Sequence, residues 1–566
     1  MKKQYFLAIA MFMLLTVFAA CSSDDNLDNG KGKVDVASKF EFPVTFADYN
    51  SDVQVGNTRA AANSSDTLKH EFVNMGNGIV ADVTLQRDKE NLSGNPDKSA
   101  STRTLPNSDY TMLAYQGGVL KGELKGVISG GSFYPNAGDP ESMSLAPGNY
   151  DFVLYSTSYF TRSGNNLTLT SANEYAILGR TNYTVTATPQ KQKVPFAMKH
   201  TAARVRVKFN TYVKVQPSNI NVGFSAANPA EVPSSAVYDA ATGTWSTSGT
   251  GGSFGFGGSS AWTESGSVTY SYTSPDYSYI FPGSNITNLK ATFGNTTIYT
   301  ENLYGKSLTF ALTPVLASVA NGSYLISITF HYNFLYLMTD GTTGLFSETT
   351  FGGGTKTPIA VVISQSKKLA AALEEVSSDY QNYSGVVNSG VINIPWSPWE
   401  PGSTFTADGA DGYKFTWEAS GSADGTTIKA NEQTRFPAFY SAAHYTPTLP
   451  AGKTLTGSIV GKKWFLPSLG EVLKIYGALK DIGPAGGLYS RSMGGGMMDL
   501  NYWQWGPYSE GHLSGMAPMA FVQVNGVSPV SLMMTSSQSS TGAGIAADYH
   551  VEIGGYSQTV RPFIHY

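Results

Sequence analysis

A single cysteine in 566 residues constrains how this chain must hold itself together. Cys21 stands at the end of a leader. Met1-Lys2-Lys3 is a short positive start, Tyr5 to Phe18 an almost unbroken apolar run, and Ala19-Ala20 a small-residue exit. A charged head with an apolar core too short to span a bilayer comfortably describes a secretory signal peptide, not a membrane helix. With one thiol no internal disulfide can form. The folded domains must therefore be held by burial and by β-ladders alone.

The composition favours strands. Charged residues make up only 14% of the chain and aromatic residues 12%, with 33 Tyr and 60 Gly. Short runs of Thr, Tyr, Val and Phe broken by Gly, Asn and Pro predict a mostly β protein. At roughly 100–200 residues per domain, the length predicts three or four domains. A formal net charge of −4 argues against nucleic acid or an anionic membrane surface as a partner.

The segment Phe18-Ala19-Ala20-Cys21 resembles a bacterial lipobox. The resemblance implies that residues 1–21 are a lipoprotein signal peptide and that Cys21 carries a lipid as the mature N-terminus. Ser22-Ser23-Asp24-Asp25 is similar to the tether that sends lipoproteins of the Bacteroides group to the outer face of the outer membrane. Each buried CH₂ of such a lipid contributes on the order of 0.8 kcal/mol to anchoring. Ser22 to Ser38 reads as a flexible spacer.

Phe40, Phe42, Val44 and Phe46 share one face of a predicted strand, and Pro43, which lacks an N–H, predicts a sheet edge. The polar stretch Asp48 to Ser65 that follows contains Thr58-Arg59-Ala60 and is expected to be open to proteases. Gly76-Asn77-Gly78 predicts a hairpin within Glu71 to Leu85, and Pro147-Gly148 a turn feeding an alternating strand. From Ala203 to Phe209 the alternation is strict. Ala203, Val205, Val207 and Phe209 are expected to face inward, with Arg204, Arg206 and Lys208 on a solvated face. Tyr277 to Gly283 and Gly322 to Phe330 give further strands.

"LAPGNYDFVLYS", "VPFAMKHTAARVRVKF", "YIFPG" and the spacing from lipobox to Thr58-Arg59-Ala60 together resemble the fimbrillin superfamily of Bacteroidales pilus subunits. The resemblance covers about residues 40–340. It implies two tandem transthyretin-like β-sandwiches, residues 60–211 and 212–340, preceded by a tether and removable strand at 22–59. It also implies partnership with other pilus subunits by β-strand addition. A trypsin-like cut between Arg59 and Ala60 would remove the Phe40 to Phe46 strand, and a neighbour's strand would refill the groove. The plainer alternative is an ordinary linker with one arginine.

After Gly352-Gly353-Gly354 a new apolar strand is expected from Lys356 to Ile363. Ser468-Leu469-Gly470-Glu471 is a capping box, with Leu469, Val472, Leu473, Tyr476 and Leu479 on one helical face. "KKWFLPSLGE", "MMTSSQSS" and the terminal "TVRPFIHY" resemble the C-type-lectin-like domain that ends the Legionella collagen-like adhesin. The resemblance implies an α+β domain over residues 341–566. Glu471 and Arg561 read as structural.

Little in the chain points to catalysis or to a cofactor. H-E-x-x-H and Gly-x-Ser-x-Gly are lacking, and the 7 His are scattered without metal-ligand spacing. No metal, cofactor or enzyme activity is expected. The segment Gly483 to Pro518 instead offers Asp499, Asn501, Tyr502, Trp503, Trp505, Tyr508 and Glu510 among glycines. Aromatic faces with amide and carboxylate groups suit sugar recognition, while Trp503 and Trp505 equally suit a core plug. The chain therefore reads as a surface-exposed fimbrial lipoprotein at the tip of a pilus, binding a glycan or host glycoprotein. The alternatives are an uncleaved pilus anchor and a surface enzyme acting on glycans or proteins. For that enzyme, which needs two carboxylates in one cleft, Asp499 and Glu510 are the only candidates in the loop.

Overall fold

The computed structural model describes residues 32–50, 67–88, 109–136, 143–187, 191–251, 262–266, 269–274, 276–378, 388–389, 411–479, 516–528, 536 and 558–566. Over these residues the chain is mostly β. The first sheet follows from strands that are apolar on both faces. Met112, Ala114, Phe152 and Leu154 enter one core, while Leu113, Tyr115, Val153 and Tyr155 enter another. Strands of this kind need cover on both sides. Seven strands form the sheet, in the order Val44–Phe46, Phe196–His200, Ile177–Val185, Gly148–Ser156, Asp109–Gln116, Val119–Ser129 and Ser132–Pro135. A four-stranded sheet of Thr161–Ser163, Asn166–Leu169, Ser235–Asp239 and Thr244–Ser248 covers the second face through Leu167, Leu169, Ala236 and Tyr238.

The second sheet departs from the expected division at residue 211. Its order is Thr263–Ser265, Tyr270–Thr273, Ala203–Thr211, Ser323–Tyr332, Ile79–Arg87 and Thr67–Gly76. The hairpin and the strand Ala203–Thr211, both expected in the 60–211 sandwich, lie here. Ile79, Ala81, Val83 and Leu85 of the hairpin bury themselves in the second core, which fixes the assignment. Asn77 and Gly78 have φ of 52° and 78°, as a two-residue hairpin turn with both central φ positive requires. A three-stranded sheet of Val222–Ala226, Asn288–Phe293 and Ser307–Ala311 completes the sandwich. Phe209 sits at its centre, 5.1–6.4 Å from Trp262, Phe330, Phe224 and Phe293.

Ala203, Val205, Val207 and Phe209 are buried as the alternation predicts. The expectation for their neighbours fails. Arg204 and Arg206 are also buried, and Lys208 is half-buried. The outer face of this strand is covered by other segments of the chain. Arg206 makes a double contact with buried Asp88, Nη2 donating to Oδ1 at 2.8 Å and Nε lying 2.7 Å from Oδ2. A paired guanidinium tolerates burial where a lone one would not.

The third sheet begins before residue 341. Its order is Thr343–Leu345, Leu335–Met338, Pro358–Ser364, Leu369–Ala372, Phe563–His565 and Trp464–Phe465. Leu335–Met338 pairs with Pro358–Ser364, so the 341–566 boundary would strip a strand from its own sheet. Val361, Ile363 and Ala371 face the helices Leu469–Ala478 and Met516–Val522, while Ala360, Val362 and Ala370 pack with Tyr445, Ile459 and Trp464. The capping box forms as expected: Ser468 Oγ accepts from Glu471 N at 3.2 Å, and Glu471 Oε2 accepts from Ser468 N at 2.8 Å. No helix among the described residues is long and apolar enough to cross a membrane.

Arg561 closes the domain. It is fully buried, donates to the carbonyls of Ala372 and Val527 and to Glu375, and lies over the Phe521 ring. Removing one partner of a buried ion pair strands the other. Arg561→Ala is therefore expected to lower the stability of this domain by about 3–5 kcal/mol, measured by urea unfolding of the full chain.

His331 is buried against Phe346, with ring centroids 4.5 Å apart, and burial pushes its pKa down from 6.5 to about 4. A base with a depressed folded pKa adds stability that is full above its ordinary pKa and lost as pH falls through the folded value. Unfolding free energy is thus expected to fall between pH 6.5 and about 4. His331→Phe should flatten that part of the profile, measured by urea unfolding across the range.

Candidate functional site

The N-terminal segment is a strand that joins two sheet edges. On one side Phe40–Glu41 runs parallel to Gln192–Lys193, and Val44–Phe46 parallel to Phe196–Met198. Val194 and Phe196 donate N–H to the carbonyls of Glu41 and Pro43 at 2.9 and 2.8 Å, and Ala47 donates to Met198 at 2.8 Å. On the other side Val44 N donates to Gly131 O at 2.8 Å, and Phe133 N to Phe42 O at 3.0 Å. Pro43 bridges Ser132 between them. The proline does mark the end of the seven-stranded order, as expected. The same segment also reaches the hairpin at the opposite end of that order. It therefore closes a gap that would otherwise leave two rows of backbone groups open.

Its side chains follow the predicted alternation. Phe40, Phe42 and Val44 are buried in the first core, and Phe46 is half-buried against it. Phe42 contacts Phe133 and Phe196 at ring-centroid distances of 5.9 and 6.4 Å. Upstream, Val36 is fully buried and Val34–Asp35 pairs with Ser144–Leu145. Burying each large apolar side chain is worth ~1.5–3 kcal/mol as an upper estimate. A segment with this much apolar contact would leave an open hydrophobic groove if removed, and such a groove demands another occupant.

Beyond the strand, Asp48 to Asn50 docks on the second sheet. Tyr49 is 2% exposed and lies flat between His200 and Arg204, 4.0 Å from the imidazole centroid and with the guanidinium 4.0 Å from its own. Arg204 is stacked on its other face by Tyr277 at 3.9 Å. Burial first, then a hydrogen bond to Asp88, pushes the Tyr277 hydroxyl pKa well above 10. Asn50 uses its side chain fully. Nδ2 donates to the carbonyls of Asp88 and Ser323, each at 3.1 Å, while Oδ1 accepts from Ser323 N at 2.8 Å and Arg87 Nη1 at 3.1 Å. Tyr49 and Asn50 fall in the polar stretch expected to be open to proteases; at these two positions that expectation fails, because both are buried. Nothing local in the sequence marks the pair; in the structure Asn50 has φ of 59°, in the left-handed region that Asn adopts more readily than most residues.

Cys21, Arg59 and Ala60 lie outside the described residues, as do Asp499, Asn501, Tyr502, Trp503, Trp505, Tyr508 and Glu510. Their arrangement is therefore not part of the geometry above. Among the described residues, Asp411, Glu471 and His565 bring ligand atoms within 4.8 Å of one another. Each has a structural task. Asp411 caps the helix Gly412–Trp417, Glu471 accepts from Ser468 and Gly412, and His565 Nδ1 lies 3.2 Å from the Lys367 carbonyl. Burial first, then the nearby Asp411 charge, raises the Glu471 pKa to about 7. The cluster reads as a polar joint between two helix starts and the closing strand.

No curated protein matches this sequence. Among solved structures, a candidate cell adhesion protein from Bacteroides ovatus is 12% identical, with 52% of this chain and 92% of that one covered at a TM-score of 0.30. Another from Bacteroides uniformis is 16% identical, with 39% and 86% covered at 0.27. The fimbrial anchor protein Mfa2 from Porphyromonas gingivalis is 10% identical, with 54% and 95% covered at 0.23. At these scores the likenesses add nothing to the geometry. Residues 95–350 match the model of the fimbrillin-like family, a span of less than half the chain. Over that span, which holds most of both sandwiches, the chain is similar to the fimbrillin-like family.

Proposed function

We propose that this chain is a cell-surface fimbrial subunit that accepts a strand from another subunit and carries an adhesive head. The observation that supports it most is the N-terminal strand seated between two sheet edges, with its apolar face in the first core. Exchange of such a strand for another is a β-strand addition, with backbone bonds supplying affinity and alternate side chains filling pockets. The match of residues 95–350 to the fimbrillin-like model points the same way. In this reading Cys21 carries the lipid that holds the precursor on the outer membrane. A cut between Arg59 and Ala60 then frees the strand.

The head is the C-terminal module, proposed to be C-type-lectin-like and to bind a glycan or host glycoprotein without catalysis. Its strand Phe563–His565 is paired on both sides, with Leu369–Ala372 and Trp464–Phe465. That strand is committed within its own sheet and is not available to a neighbour. The head is proposed to sit at the end of a fibre, where a binding module meets its ligand. A second reading has support of its own: the tight docking of Asp48 to Asn50 favours an anchor that keeps its N-terminal segment and is not cut.

The mature N-terminus separates the two. Subunits in purified fibres are expected to begin at Ala60, and Arg59→Ala to remain full-length and outside fibres. Fibres containing uncut mutant subunit would exclude strand replacement, and surface copies beginning only at Cys21 would favour the anchor.

For the head, Trp503→Ala or Trp505→Ala is expected to weaken binding on a glycan array by about 2 kcal/mol, roughly thirtyfold, with unchanged thermal melting. A fall in stability of about 3–5 kcal/mol without prior binding by the native chain would assign these residues to the core.

A further inference from the structure

The pocket that holds Tyr49 and Asn50 is built by residues outside the N-terminal segment. Its flat walls are the His200 imidazole and the Arg204 guanidinium. Both walls are held from behind. His200 Nδ1 lies 2.8 Å from the Glu174 carbonyl, while Arg204 Nε donates to Ser323 Oγ at 2.9 Å and its other face rests on Tyr277. Tyr277 is tied in turn to Asp88 by a 2.7 Å hydrogen bond from its hydroxyl. The floor beside this slot presents the Ser323 N–H, the Ser323 carbonyl, the Asp88 carbonyl and the Arg87 guanidinium. Two donors and two acceptors in that arrangement match one primary amide. Arg87 is itself steadied over the Tyr324 ring at 4.9 Å.

The His200 wall ends the strand Phe196–His200 of the first sheet, while Arg204, Ser323 and Arg87 belong to the second; the groove for Phe40 to Phe46 belongs to the first. One short segment thus engages two surfaces. Asp48 O also accepts from Asn321 Nδ2 at 2.9 Å, and Asn50 N donates to Asn321 O at 2.9 Å. These bonds set the spacing between the groove and the slot. Tyr49 falls three positions after Phe46, the last residue of the ladder, and Asn50 four.

We propose that the His200–Arg204 slot and its amide floor form a second subsite for the incoming strand. The subsite selects a donor from another subunit that carries an aromatic residue three positions, and an Asn four positions, beyond its last groove residue. The proposal rests on the reading of the groove as a strand acceptor. The chemistry argues for an occupant of this kind. If the segment left with nothing in its place, the Ser323 N–H and the Asp88 carbonyl would lose the bonds that Asn50 gives them, while the Ser323 carbonyl would keep only the Asp88 N–H at 3.0 Å, and buried groups without partners are costly. An aliphatic side chain would cover the area, but it would offer no π face to the guanidinium and imidazole that line the slot. The pair Tyr49-Asn50 is then the chain's own placeholder for the donor.

The test uses the full mature chain with a site-specific protease sequence in place of residues 57–60, cut so that the N-terminal segment can exchange. Fluorescent peptides of residues 34–52 are then offered, and their binding and release are followed by anisotropy. The native peptide and Tyr49→Phe or Tyr49→Trp are expected to bind within a few-fold of one another. Tyr49→Leu, Asn50→Ala and a peptide ending at Ala47 should each bind at least tenfold more weakly. If all of these peptides bind alike, the groove remains an acceptor and the subsite is overturned. If the Leu variant alone matches the native peptide, the slot senses burial and not a flat ring, which overturns the aromatic selection. If no peptide enters the cut chain, the acceptor reading fails and the subsite falls with it.

Discussion

The parallel ladder between Ala203–Thr211 and Ser323–Tyr332 is the joint on which the other layers hang. The first of these strands leaves the first sheet only two residues after Phe196–His200. The second leads, two residues after Tyr332, into Leu335–Met338 of the third sheet. A parallel pair requires a long crossover, and here the three-stranded sheet of the second sandwich lies in that connection. One ladder therefore fixes how the chain passes through three layers without a disulfide. Its inner face carries Val205, Val207, Phe209, Ile326, Ile328 and Phe330 into one continuous core. That core extends past Phe346 to Val361, Ile475 and Phe521, so the second sandwich and the C-terminal module share buried apolar surface.

Specific polar contacts reinforce that shared core. Gln523 Nε2 donates to the Tyr332 carbonyl at 2.8 Å and to the Tyr336 hydroxyl at 2.7 Å, while Tyr336 donates to the Ala520 carbonyl at 2.6 Å. A helix near the end of the C-terminal module is thereby bonded to the strands that leave the second sandwich. The C-terminal module is thus joined to the second sandwich by packed side chains and hydrogen bonds and not by the backbone alone. That suits a protein proposed to bind at the end of a fibre.

The other side of the same ladder meets the N-terminal segment. Arg204 and Arg206 emerge on the outer face, where Tyr49, Tyr277 and Asp88 enclose them. The segment thus fills a groove in the first sheet and a polar slot walled by His200 of the first sheet and Arg204 of the second. The apolar groove supplies most of the burial, and the slot supplies direction, because an amide and a flat ring fit only one register. Occupancy of both by a single stretch of chain makes the N-terminal strand a structural part of both sheets.

Much of the local structure was legible in the residues. Period-two alternation placed the strands at Phe40–Phe46 and Ala203–Phe209, Asn77-Gly78 placed a turn, and Ser468 with Glu471 placed a helix start. These features depend on neighbours close in sequence, and local sterics and capping decide them. What covers a strand's second face does not depend on near neighbours. Arg204 and Arg206 read as solvated, yet Asp88 lies more than a hundred positions away in sequence and neutralises one of them. The hairpin at 67–87 carries no mark of the sheet it joins, because either core would accept its Ala81, Val83 and Leu85. The sequence by itself determined a β-rich, disulfide-free chain with a detachable-looking first strand. Only the tertiary structure decided that this strand bridges two sheet edges and that Tyr49-Asn50 locks it to the next domain, since both depend on contacts between segments far apart along the chain.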